Sequence, residues 1–176
     1  MKKILLIIMA IITVIILSNN NSKEEIIIPN DSIRIRVIAS SNSKEDQKLK
    51  QNVRKSIQLQ LSEMLKEANN IEEVREILNQ NLGNVKYTVE KVMEKNKTSN
   101  KFQVNYGYNY FPEKKYKGIT YNEGFYESLV ITLGEAEGDN WWCVLFPPLC
   151  LMEEDEEKIE EVEYKSFIKE IIDKYF

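Results

Sequence analysis

Phe102-Gln103-Val104-Asn105-Tyr106-Gly107-Tyr108-Asn109-Tyr110 alternates apolar and polar residues without a break. That period of two belongs to a strand with one covered face. Aromatic residues favour strands, so the tyrosine row reads as the cover of a sheet face; a ligand-stacking platform is the sharper alternative. Upstream the period changes. Leu49, Val53, Ile57, Leu61 and Leu65 recur at four-residue steps, the apolar face of a helix whose Lys48, Lys50, Arg54 and Lys55 lie largely on solvated sides. Ser43 and Asp46 have the spacing of a capping box at its start. Asn70 with Glu73 opens a second helix along Val74, Ile77, Leu78 and Leu82. Gly83 is expected to end or bend it, with Val85, Val89, Val92 and Met93 continuing at helical spacing to about Lys95. Asn96–Asn100 is a loop by composition.

Further out, Ile33, Ile35 and Val37 alternate with Arg34 and Arg36, which predicts a half-buried strand. Beyond the tyrosine row, Leu129–Leu133 reads as a buried strand and Gly134–Asn140 as a turn. Trp141–Phe146 is a returning strand antiparallel to it, ended by Pro147-Pro148. Ile159, Val162, Phe167, Ile168, Ile171 and Ile172 predict a C-terminal amphipathic helix behind an acidic run, Glu153–Glu163, of eight carboxylates and one lysine. Such a run reads as a solvated face. The expected fold is α+β: two to three N-terminal helices on a mostly antiparallel sheet, an aromatic C-terminal hairpin closed by a disulfide, and a C-terminal amphipathic helix. The expected organisation is residues 1–22 as signal peptide or N-terminal membrane anchor, 23–30 as linker, 31–152 as one domain, and 153–176 as the acidic helix.

Composition narrows the function. The 176 residues carry 28 acidic and 24 basic side chains, net charge −4, which argues against a nucleic-acid partner. No histidine is present. That removes Ser-His-Asp and Cys-His catalysis and histidine ligation of zinc. Gly-rich phosphate loops and paired carboxylates at a defined spacing are also missing, so no catalytic residue, metal, cofactor or small-molecule substrate is expected. Lys2, Lys3 and the uncharged run Ile4–Leu17 have the form of an export signal, about 21 Å long as a helix against the ~30 Å of a hydrocarbon core. Cleavage and retention of this segment stay open. Export makes a structural disulfide between Cys143 and Cys150 the expectation, with buried thiols as the alternative.

One stretch stands apart: Asn140-Trp141-Trp142-Cys143-Val144-Leu145-Phe146-Pro147-Pro148-Leu149-Cys150 holds both tryptophans, both cysteines and two of the four prolines. Together with Ile33–Asn42, Ser43–Gln47 and Gly124–Gly134 it resembles the stage II sporulation protein R family, over about Pro29 to Met152. The short acidic tail departs from that pattern. The resemblance implies an exported signalling protein, made in the forespore and acting between the forespore and mother-cell membranes. Its partner would be SpoIIGA, a membrane-embedded aspartic protease that then processes the sigma-E precursor. On that implication Trp141, Trp142, Phe146, Pro147, Pro148 and Leu149 form a candidate partner-binding edge, with Arg34 and Arg36 as rim charges. A cell-envelope module binding glycan through the tyrosine strand is the competing reading.

Overall fold

The computed structural model describes residues 26, 28–99, 101–116, 119–150 and 161–175. The proposed export segment and most of the acidic run lie outside them. Strand β1 (Ile33–Ile38) leads to helices α1 (Lys44–Leu65) and α2 (Ile71–Lys95), then to strand β2 (Phe102–Phe111). A short ribbon, β3 (Lys114–Tyr116) and β4 (Ile119–Tyr121), precedes β5 (Gly124–Leu133), β6 (Asn140–Phe146) and α3 (Glu161–Tyr175). Sequence periodicity missed β3 and β4, whose three residues each are too short to show a period.

Both predicted helix starts are present, each with its own variation. The Ser43 hydroxyl accepts from the Asp46 N–H at 3.1 Å. Asp46 does not reach back to Ser43 directly; Ser41 relays, accepting from the Ser43 N–H at 3.1 Å and donating to Asp46 Oδ2 at 2.6 Å. At α2, Asn70 Oδ1 accepts from the Glu73 N–H and the Glu73 carboxylate accepts from the Asn69 N–H. Helix α2 runs through Gly83 instead of ending there. The reason lies in phase: Ile71, Val74, Leu78, Val85, Val89 and Met93 are all buried on one stripe that Gly83 does not interrupt.

The sheet order is β2-β5-β1-β6. Strand β6 runs antiparallel to β5 in direction, as expected, but β1 lies between them, parallel to β5 and antiparallel to β6. A parallel pair needs a long crossover, and here α1, α2 and β2 supply it between β1 and β5. Alternation then divides the interior in two. Ile33, Ile35 and Val37 meet Leu129, Ile131 and Leu133 under α1 and α2. The opposite face carries Val144, Trp142, Phe111 and Tyr126, covered by Ile119 and Tyr121 of the small ribbon and by Tyr164, Ile168 and Ile171 of α3. Ile28, from the stretch expected to be linker, also enters this second core.

The turn after β5 is held against the end of β1. The N–H groups of Glu137 and Gly138 donate to the carbonyls of Ser40 and Ala39, both at 3.0 Å. Gly134 has φ +55°, and a Cβ there would stand 2.2 Å from Ser40 Oγ, so only glycine closes this turn unstrained.

Gly83 has no such constraint, since nothing lies within 4 Å of an added Cβ. Gly83→Ala should therefore raise unfolding free energy by about 0.5–1 kcal/mol in denaturant titration, the helix-propensity difference. A loss of stability would show that α2 needs a local bend there.

Candidate functional site

The motif Asn140–Cys150 is built into both cores. Strand β6 alternates, so Trp141 and Cys143 pack on the helix side while Trp142 and Val144 face the second core. Near its end the register slips: Phe146 pairs with Ile33 and Val144 with Arg34, leaving Leu145 unpaired. This bulge turns both Leu145 and Phe146 into the first core. The chain then makes a cis Phe146–Pro147 bond, and Leu149 drops into the second core.

These placements revise the expected binding edge. Trp142, Phe146, Pro147, Leu149 and Arg34 are buried, and Trp141, Pro148 and Arg36 are half-buried. Phe146 and Leu149 therefore do not form a projecting apolar knob. Pro148 and Phe146 border a cleft of about 150 Å³, walled by Leu65 at the end of α1, Ala68 just after it, and Tyr175 of α3. Trp141 is shielded by Arg54, whose guanidinium carbon stands 4.5 Å from the ring centroid.

Arg34 and Arg36 do share a strand face, but that face is the second core. Arg34 is 1% exposed and lies 3.3 Å above the Tyr126 ring, with Trp142 at 5.0 Å and Phe111 at 5.2 Å. Its Nε and Nη1 have no hydrogen-bond partner. Burial lowers its pKa, partly opposed by Tyr126 and Tyr121. A guanidinium caged by rings is held by their quadrupoles, not by a carboxylate. Arg36 reaches further out, donating to the Tyr110 carbonyl at 3.5 Å.

Both cysteines are thiols here, where a disulfide was expected. They are placed together nonetheless. Cys150 Sγ donates to the Val144 carbonyl at 2.9 Å, and Cys143 Sγ approaches the same oxygen at 3.7 Å. Among the described residues no cluster of metal-ligating side chains occurs, and no helix is long and apolar enough to cross a membrane.

The exposed aromatic surface lies elsewhere. Tyr106, Tyr108 and Tyr110 share one face of β2, opposite Leu129, Glu127 and Phe125 of β5. Tyr106 is half-buried beneath the helices, yet Tyr108 is 72%, Tyr110 48% and Phe125 71% exposed. The Tyr110 and Phe125 rings meet edge-on at 5.6 Å. Arg75 of α2 closes the helix layer at this point, bonding Glu127 at 2.9 Å, Glu72 at 3.1 Å and Asp31 at 3.4 Å. The hydrogen bond to Glu127 is the main reason the Arg75 pKa is raised. Burial, and then the hydrogen bond to Glu127, push the Tyr106 phenol up. Tyr110 donates to Glu123 at 3.0 Å, which raises its pKa in turn. Reading the tyrosine row as face cover holds for Tyr106 and misses the outer two residues. Nothing in the sequence marked these two, because alternation shows which side chains share a face and not how far the helices cover it.

Two substitutions separate the roles of Arg34 and the rings around it. Trp142→Ala should cost about 3–5 kcal/mol of unfolding free energy. Arg34→Met removes the buried charge together with its ring contacts, two opposed effects, so stability should change far less than for Trp142→Ala. A loss for Arg34→Met as large as that for Trp142→Ala would mean the guanidinium is itself a main support of the second core.

A family model described as stage II sporulation protein R matches residues 29–156. That span takes in both faces of β1, all six strands and the whole Trp-Trp motif, and it ends before α3. The stage II sporulation protein R of Bacillus subtilis (strain 168) is 36% identical over 150 residues, which cover 85% of this chain and 67% of that one. No solved structure matches. A family match across the whole sheet, with a relative of that identity along most of the chain, places this protein in the stage II sporulation protein R family.

Proposed function

We propose that this protein is an exported sporulation signal that activates a membrane-embedded aspartic protease of the SpoIIGA type. It is made in the forespore, directed across the membrane by residues 1–22, and acts in the space between the forespore and mother-cell membranes. The activated protease then cleaves the sigma-E precursor in the mother cell. The observation that carries this reading is the family match over residues 29–156. The export-signal pattern at Lys2–Leu17 supports it, as does a sequence without a single histidine, which suits a ligand whose receptor does the chemistry.

An extracytoplasmic ligand switches a receptor only through different affinity for the receptor's two states. A body with two packed cores presents its surface residues in fixed geometry, so little ordering entropy is lost on contact. In the oxidising space outside the membrane, the two thiols that converge on Val144 close a disulfide. The corner is then pinned to β6, with about 2–3 kcal/mol of added stability from closing so short a loop.

Co-expression of the full chain, directed outside the membrane, with the protease and the sigma-factor precursor tests the reading. Precursor cleavage should depend on this chain. Its absence, with both proteins present and correctly located, would sink the signalling role. For the disulfide, Cys143→Ser, Cys150→Ser and reduced wild type should share one lower melting temperature, below that of the oxidised protein. Equal stability of oxidised and reduced forms would remove the staple.

A further inference from the structure

We infer that the uncovered end of the β2–β5 ribbon is the surface on which the partner docks, and that it takes an extended, basic segment of that partner. This deepens the proposed function and rests on it for the identity of the partner.

Three observations converge. First, five large apolar side chains stand exposed among the described residues, and three of them, Tyr108, Tyr110 and Phe125, lie together on one face. Tyrosine and phenylalanine concentrated on rigid strands are the composition of an interface centre, and a clustered exposed patch marks a contact site. Second, β2 is at the sheet edge and pairs only with β5 over all ten residues. Its outer side offers a ladder to another strand. In its middle the Gly107 carbonyl already accepts from Asn109 Nδ2 at 3.1 Å, a side-chain bond that an added strand would have to displace.

Third, the rim is acidic. Glu123 is held beside the patch by the Tyr110 hydroxyl, while Asp31, Glu72 and Glu127 share the single guanidinium of Arg75. The neighbouring cations Arg36 and Lys114 lie on the opposite face, over Phe111 and Trp142. Carboxylates around aromatic faces complement Lys or Arg alternating with apolar residues, the cations gaining from both. The same charge disfavours an anionic lipid surface.

The test uses the full chain in the co-expression system. Tyr108→Ser with Phe125→Ser should lower precursor cleavage at least tenfold while the protein keeps its melting temperature, since both side chains stand in water. Leu59→Ser, 76% exposed on α1, serves as the control and should leave cleavage unchanged. A photocrosslinking amino acid in place of Tyr108 should couple to the protease, and one in place of Leu59 should not. Glu123→Lys and added salt should both weaken that crosslink. The crosslink reads contact without activation, so a wild type that crosslinks but triggers no cleavage overturns the proposed function and leaves this surface standing. Wild-type cleavage by the double variant overturns the surface, as does protease coupling from position 59 in place of 108. Loss of co-sedimentation with isolated peptidoglycan by a double variant that still activates would assign the patch to glycan instead.

Discussion

Strand β1 is bordered on both sides and covered on both faces, so its six residues must satisfy two interiors with a single alternation. Ile33, Ile35 and Val37 fill the helix-side core and are at most 1% exposed. Arg34 and Arg36, between them, are committed to the other side. Every later element is positioned by this division: β5 joins in parallel through the long crossover, β6 closes antiparallel, and the bulge at Leu145 keeps Phe146 on the aliphatic side. A one-residue slip would exchange guanidinium for isoleucine in both cores at once, which makes the register strongly specified.

The second core is the unusual one, because its centre is a cation. Burying a charge costs several kcal/mol even after relaxation, while a desolvated cation–π contact returns about 2 kcal/mol or more. Three rings around Arg34 therefore offset a cost of similar size. What the arrangement supplies is orientation. Phe111, Tyr126 and Trp142 come from three different strands, and Tyr121 packs on Trp142 at 5.3 Å from the small ribbon. Tyr121 in turn meets Tyr164 of α3, hydroxyl to hydroxyl, at 3.2 Å. The Trp-Trp motif is thus an internal keystone of this domain, and its two indoles serve different cores.

Much of this was legible from periodicity, because each helix and long strand buries one continuous stripe. The caps at Ser43 and Asn70 were readable from local spacing; the Ser41 relay was not, since it depends on how the chain leaves β1. Gly83 misled because a lone glycine costs a helix only about 1 kcal/mol, less than a stripe of six buried residues contributes. Strand order was out of reach: alternation fixes which side chains share a face but not which strands are neighbours. For the same reason Arg34 read as a rim charge. An arginine between apolar neighbours marks the outer face of a half-covered sheet, and here the small ribbon and α3 cover that face as well.

The exposed aromatics follow from an offset and not from a shortage of helix. Strands β2 and β5, ten residues each, are about 33 Å long, and α1 and α2 are about as long or longer. The helix-side core takes in Phe102, Val104 and Tyr106 with Leu129, Ile131 and Leu133, and Arg75 meets Glu127 at its limit. Tyr108, Tyr110 and Phe125 fall beyond that boundary. Sliding the helices over them would draw cover from Phe102 and Leu133 and break the pairing of Arg75 with Glu127. Tyr108 and Tyr110 keep a hydroxyl for water, but Phe125 has none. Among the described residues its ring meets only the edge of Tyr110 in a ring contact and stays 71% exposed.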